Sequence, residues 1–198
     1  YFQGVEAVFH LAALARIQPS IKDPLPANQT NITGTLNVLW AAKNAGVKKV
    51  IYSASSSAYG EQPAEYFPLQ ENLEIHPGSP YALQKLVGEM YCKLFGKLYN
   101  LPTVILRYFN VYGPRQITEG AYAAVVGIFL KQRQEGRPVT VTGNGEQRRD
   151  FTHIYDVVEA NILAWKKDVP SGEIFNIGRG KNFSINELAK LIGGPIEY

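Results

Sequence analysis

Tyr81 and Lys85 stand four residues apart in SPYALQK (79–85), and on a helix positions i and i+4 share a face. An ammonium beside a phenol favours the phenolate, and a phenol of lowered pKa is a general base near neutral pH. The spacing alone is weak, because a chain with 12 tyrosines in 198 residues throws up such pairs by chance, and two neighbours on a surface helix look the same. Upstream, YSASSSAYG (52–60) places hydroxyls where a short β-rich run breaks into serines. Hydroxyls at the carboxyl end of a buried strand overlie the ligand crevice of a parallel sheet. Serines also suit a plain polar turn. Ser55, Tyr81 and Lys85 are therefore candidates for proton exchange with an alcohol or ketone, with Ser55 bridging the oxygen.

Those residues need elements to hold them. Val5–His10 reads as a buried strand ending in small residues, Thr33–Ala45 as a helix stopped by Gly46, and Lys49–Tyr52 as a short strand. Gly60–Pro77 is polar and proline-containing, hence loop. Pro80–Tyr99 predicts a long helix with proline tolerated in its first turn. Further on come a strand over Thr103–Leu106, a helix over Tyr122–Gln134, a strand over Val139–Val141, a helix over Asp156–Lys167 and a strand over Ile174–Ile177. Ser184 followed by Glu187 has capping-box spacing and opens a last helix to Ile192. Strands alternating with helices predict an α/β fold, a parallel sheet with helices on both faces. The unusual residues fall at strand ends: His10–Ala13, Ser53–Gly60 and Tyr108–Asn110.

Composition narrows the function classes. At 45% hydrophobic and 19% charged the chain is globular, and a net charge of +3 with no dense basic block argues against nucleic acid. The one cysteine, Cys92, sits in a helical pattern and reads as a small buried hydrophobe, which fits a reducing, cytoplasmic setting. No apolar run approaches the roughly 18 residues of a membrane span. No metal-ligand spacing stands out. Tyr1–Gly4 look like the tail of a cleaved tag and are set aside from the fold.

The order SSSAYG…SPYALQK resembles the Ser-Tyr-Lys triad of the extended short-chain dehydrogenase/reductase family. FHLAA (9–13), TNITGTLNVL (30–39), RYFNVYGPRQ (107–116) and GNGEQRRDF (143–151) match that family's NAD-dependent nucleotide-sugar epimerases and dehydratases. AALARIQPSIKDP, GAYAAVV and NGEQRRDF are most similar to its UDP-N-acetylglucosamine 4-epimerases, with UDP-glucose 4-epimerases next. Where the dehydratases carry Asp-Glu to expel a hydroxyl, this chain has Ser56-Ser57.

The resemblance implies a partial Rossmann-like doubly wound sheet (5–113) holding NAD and the catalytic residues. It also implies a segment (114–198) that contributes to a small nucleotide-sugar domain and returns to the sheet. It implies NAD contacts at Leu11, Ala12, Ala13, Thr30, Tyr81, Lys85 and Phe109, and UDP-sugar contacts at Ser55, Ser56, Tyr81, Asn110, Ala124, Val125 and Arg149. Tyr81 would take the proton of the sugar 4-hydroxyl, with Lys85 holding the nicotinamide ribose. Outside the resemblance, an ion pair with Asp150 is the other reading of Arg149, and helix core that of Ala124 and Val125. His10 reads as a satisfied core histidine, Asn31 as a tie between helix and strand, and Asn176 as a structural strand end.

The family's glycine-rich strand–turn–helix, which carries the NAD pyrophosphate, is not in this sequence. Gly178-Arg179-Gly180 follows a strand but lacks the third glycine, so it is a decoy. The chain thus reads as an interior slice truncated at both ends, with weakened NAD binding. The alternative to an epimerase is an inactive domain that folds and self-associates. Thr33–Ala45 and Pro80–Tyr99 resemble the family's dimer-forming helices, which implies a homodimer.

Overall fold

A computed structural model describes residues 2–120 and 123–198. In chain order the elements are β1 (Ala7–His10), α1 (Ile17–Lys22), α2 (Pro24–Asn28), a π turn (Gln29–Thr33) and α3 (Gly34–Asn44). Then come β2 (Lys49–Ser55), short 3₁₀ turns at Ser56–Tyr59 and Ala64–Tyr66, α4 (Pro80–Tyr99), β3 (Thr103–Tyr108), β4 (Asn110–Tyr112) and α5 (Val125–Gln134). The remainder is β5 (Val139–Thr140), β6 (Arg148–Arg149), β7 (Phe151–His153), α6 (Ile154–Lys166), β8 (Glu173–Ile177), β9 (Phe183–Ser184), α7 (Ile185–Ile192) and β10 (Ile196–Glu197).

The chain divides into two compact units. The first holds the residues up to Tyr108 and Val158–Ile177. Its sheet runs β1-β2-β3-β8, every pair parallel, with Val8 opposite Val50, Ile51 opposite Val104 and Leu106 opposite Phe175. Both faces are covered, as a parallel sheet requires. On one, Val50, Tyr52, Ala54 and Ile105 pack with Leu39 and Ala42 of α3 and Cys92 and Phe95 of α4. On the other, Ile51, Val104 and Leu106 pack with Ala164 of α6. Each fully buried aliphatic side chain contributes about 1.5–3 kcal/mol relative to exposure. This is the doubly wound α/β sheet that the sequence predicts. Phe2, within the stretch set aside as a tag tail, packs against the first of these clusters.

The elements that carry the candidate residues have local causes. Helix α4 starts where Ser79 accepts the Ala82 N–H with Pro80 behind it, and stops at Asn100 in the left-handed region. The absence of a side chain at Gly88 lets α4 close on β2, since a Cβ there would lie 2.1 Å from the Tyr52 hydroxyl. The helix expected from Thr33 begins earlier. Asp23 caps α2, and the helical backbone continues through the π turn into α3. The strand expected over Lys49–Tyr52 runs on to Ser55, paired with β3 along its length.

The second unit comprises Phe109–Val157 and Gly178–Tyr198. Val126, Phe129, Val139, Val141, Phe151, Ile185, Leu188 and Ala189 form its core. Three two-stranded pairings, β4 with β7, β6 with β9 and β5 with β10, surround that core. The capping box at Ser184 and Glu187 is formed in full. Helix α5 starts at Val125, and Tyr122, where the sequence places its start, lies outside the described residues.

Candidate active site

Strand β2 ends in extended backbone at Ser55, and the 3₁₀ turn follows at once. That tight turn brings residue i+2 back over residue i. The Ser55 hydroxyl accepts the Ser57 N–H at 3.2 Å and is hydrogen-bonded to the Ser57 hydroxyl at 2.8 Å. From α4, Tyr81 approaches the same point, close enough for the Ser55 hydroxyl to pull the phenol's pKa down. The Tyr81 backbone N–H donates to the hydroxyl of buried Ser20, which fixes the first turn of α4 against α1. Serine and tyrosine thus meet at the carboxyl end of the sheet.

Lys85, one turn further, is buried. Its ammonium donates to the Ser53 carbonyl at 2.7 Å and lies 5.0 Å from the Tyr52 ring centroid. Burial pushes its pKa down to about 8, against the pull of Cys92 and Glu89. Tyr81 differs from the expectation of a phenol acidified by the lysine one turn away. Burial holds it above its ordinary value, and the groups that pull it down are the Ser55 hydroxyl and the Arg16 guanidinium. The physical reason is the aim of the lysine, whose head group is hydrogen-bonded to the β2 backbone.

Around this centre, Asn31 sits in the π turn, where an extra residue per turn swings its side chain inward. Its amide accepts from the Leu14 N–H at 2.8 Å and donates to the Leu14 carbonyl and to Gln84 of α4. It ties the loop after β1 to α4, where the sequence suggests a tie to a strand. His10 Nε2 lies 2.9 Å from the Thr35 hydroxyl, which itself donates to the Asn31 carbonyl, so the ring nitrogen carries the hydrogen. Burial and the nearby Lys85 charge push His10 down to about 4, which makes it a neutral structural residue. Leu11, Ala12 and Thr30 are exposed and Ala13 is half-buried.

Asn176 does more than end β8. It accepts from the Tyr59 hydroxyl, donates to the Leu69 carbonyl, and its N–H donates to Glu71. It thereby holds the polar loop of residues 60–77 to the sheet, an arrangement with no signal in the sequence.

The second unit carries Phe109, Asn110, Ala124, Val125 and Arg149. Asn110 is exposed on β4, and its N–H donates to the Asp150 carbonyl. Ala124 precedes α5 and Val125 opens it, both half-buried. The exposed Arg149 guanidinium donates to the Arg148 carbonyl and, among the described residues, has no carboxylate within ion-pair distance. Asp150, its suggested partner, accepts instead from the N–H groups of Arg179 and Gly180 and from Thr152. A carboxylate thus occupies the donors of the Gly178–Gly180 turn, so that turn offers no cradle for a phosphate. Among the described residues no helix is long and apolar enough to cross a membrane, and no three metal-ligating side chains converge.

Comparison with known proteins adds a second line. A model of the NAD dependent epimerase/dehydratase family matches residues 1–178, the first four included. A putative UDP-glucose 4-epimerase of Methanocaldococcus jannaschii is 41% identical over 200 residues, covering 100% of this chain and 63% of that protein. A UDP-N-acetylglucosamine 4-epimerase from Methanobrevibacter ruminantium, solved with UDP-N-acetylmuramic acid, gives a TM-score of 0.91 at 43% identity, covering 96% of this chain and 60% of that one. The UDP-glucose 4-epimerase of Thermotoga maritima, solved with UDP-glucose, gives 0.92 at 41% identity, covering 98% and 64%. The chain spans less than two thirds of the length of these proteins.

Proposed function

Because the chain belongs to the NAD dependent epimerase/dehydratase family, we propose that it carries the catalytic centre of a UDP-hexose 4-epimerase. UDP-N-acetylglucosamine and UDP-N-acetylgalactosamine are the favoured pair, and UDP-glucose and UDP-galactose the next. The observation that carries this reading is the meeting of the Ser55 and Tyr81 hydroxyls at the end of β2, with Lys85 one helical turn away.

That arrangement suits removal and return of a proton at a sugar 4-hydroxyl. Ser55 bridges the 4-oxygen, and Tyr81 takes its proton as the alcohol becomes a ketone and returns it as the ketone is reduced. Between the two steps the flat 4-ketone turns over, which exchanges the face that is reduced. Bound NAD supplies the acceptor and donor of hydride.

The residues present fit the nicotinamide end of that cofactor. Leu11 and Ala12 are exposed just past the end of β1 with half-buried Ala13 after them, an open approach for the cofactor. We assign Thr30 and Phe109 to the same cofactor, and Ser56, Asn110, Ala124, Val125 and Arg149 to the UDP-sugar. A guanidinium gives Arg149 the forked contact that a diphosphate favours. Lys85, whose ammonium is bonded here to the Ser53 carbonyl, would hold the nicotinamide ribose.

The test is to supply NAD and UDP-N-acetylglucosamine and watch for UDP-N-acetylgalactosamine. Tyr81→Phe is expected to cut turnover by about 10²–10⁴-fold. No interconversion of any UDP-hexose pair, with the protein folded and NAD supplied, would leave a self-associating domain without turnover.

A further inference from the structure

Leu14, Asn31 and Gln84 come from three separate stretches of the chain and meet in one junction. The Asn31 carboxamide has a single orientation open to it. The Leu14 N–H can only donate and the Leu14 carbonyl can only accept, so the Asn31 Oδ1 faces the first at 2.8 Å and its Nδ2 the second at 3.1 Å. The other Nδ2 hydrogen goes to the Gln84 Oε1 at 2.9 Å. Asn31 and Gln84 are both buried, so these bonds are sheltered from solvent. The Asn31 backbone is held as well. Its carbonyl accepts from the Thr35 hydroxyl at 2.7 Å, and His10 at the end of β1 lies on that same hydroxyl.

Each member of the junction is next in the chain to a residue assigned above to the cofactor. Leu14 follows Ala13, Asn31 follows Thr30, and Gln84 precedes Lys85. Residues 11–16 lie outside regular structure, so no ladder of their own sets their place against α4. We propose that Gln84 is a positioning residue: through the Asn31 carboxamide it holds the loop after β1 and the π turn in register with the part of α4 that carries Tyr81 and Lys85. The inference rests on the proposed function in taking these three stretches as contacts of one cofactor. Gln84 itself touches neither cofactor nor sugar, and its oxygen acts only through Asn31. The bond from the Tyr81 N–H to Ser20 seats α4 on α1, past the loop, and leaves the loop's own place to the junction. A cofactor that meets three stretches already in register loses less affinity to ordering them.

The experiment removes the acceptor and then restores it. Gln84→Met keeps the length of the side chain without the acceptor, and Gln84→Glu keeps an acceptor at the same place. Hydrogen exchange at the Leu14 N–H reads the junction from its far side. The Ile105 N–H, in the interior strand β3, reads unfolding of the whole unit. In Gln84→Met the Leu14 N–H is expected to exchange about tenfold faster relative to that of Ile105, and in Gln84→Glu at the parent rate. The calorimetric Kd for NAD should rise about tenfold in Gln84→Met and stay at the parent value in Gln84→Glu. Should Gln84→Met not fold, Gln84→Ala, which also lacks the acceptor, makes the same comparison. Equal Leu14 exchange with and without the acceptor, in folded protein, overturns the junction. Faster exchange with an unchanged Kd for NAD reduces Gln84 to a structural tie and overturns the positioning role. A Leu14 response in a folded chain that binds no NAD and converts no UDP-hexose keeps the coupling of Gln84 to the loop and overturns the functional reading alone.

Discussion

Lys85 and His10 share one buried neighbourhood, and both are groups that burial makes reluctant to carry charge. Lys85 meets the cost of its charge with the Ser53 carbonyl and the face of Tyr52. His10 avoids it by staying neutral on Thr35. The consequence is a pH window. His10 titrates at about 4 in the folded chain against an ordinary 6.5, so between those values the unfolded chain binds a proton that the folded chain does not. Stability from this residue is full above pH 6.5 and is lost as pH falls toward 4. The loss is at most about 3 kcal/mol. Chemical denaturation at pH steps across the window should show His10→Gln losing less stability than the parent, and parallel curves would remove the argument. Ser55, Tyr81 and Lys85 were legible in the sequence because a helix period and a strand end are local signals. The aim of Lys85 and the return of Ser57 onto Ser55 were not. The first depends on which β2 carbonyl faces the helix, and the second on a 3₁₀ turn that a serine run does not specify.

At the scale of elements, α4 is where sequence and structure agree best, from its Ser79 cap to Tyr99. Proline at N1 and a continuous apolar stripe are strong local rules. The π turn was invisible, since its cause is tertiary: Asn31 has to face both Leu14 and Gln84. In the second unit β5 was read from the sequence, while β4, β6, β7, β9 and β10 escaped for a related reason, because two or three residues carry no period. Below Lys85, Glu89 on α4 and Arg107 on β3 form a doubly hydrogen-bonded ion pair at 2.7 and 3.0 Å, with side chains 2% and 1% exposed. Arg107 also lies 4.7 Å from the Tyr59 ring centroid and donates to the Glu71 carbonyl. One pair thus registers α4, β3, the turn after Ser55 and the polar loop. Glu89→Ala strands the guanidinium and should cost about 3–5 kcal/mol. Glu89→Leu with Arg107→Leu, which leaves no buried charge, should cost less than either single change. Urea unfolding of Glu89→Ala and of the double variant decides it, and a double variant no more stable than Glu89→Ala would show that the pair contributes net stability.

On the whole molecule, the chain builds the first unit, leaves it after Tyr108 and returns to it through α6 and β8. One exposed apolar stretch of that unit follows α3 and α4: Trp40 is 48% exposed, Met90 61%, Leu94 44% and Leu98 57%. Positions 83, 87, 90, 94 and 98 fall on one face of α4 at helical spacing, and Trp40 meets Tyr99 edge-to-face beside them. The Lys43 ammonium, 4.8 Å from the Trp40 ring centroid, holds the indole in place. An apolar face of this kind on a monomer is unusual unless something covers it. A second copy of the same two helices, packed antiparallel as a four-helix arrangement, would cover it with like against like. The proposed homodimer therefore predicts a specific sensitivity. Met90→Arg and Leu94→Arg each place two like charges near the two-fold axis and should convert a dimer to a monomer in sedimentation velocity. Glu65→Arg, on the exposed polar loop away from both helices, should leave the dimer intact. A parent chain that sediments as a monomer at high concentration would leave the α3–α4 face to another partner.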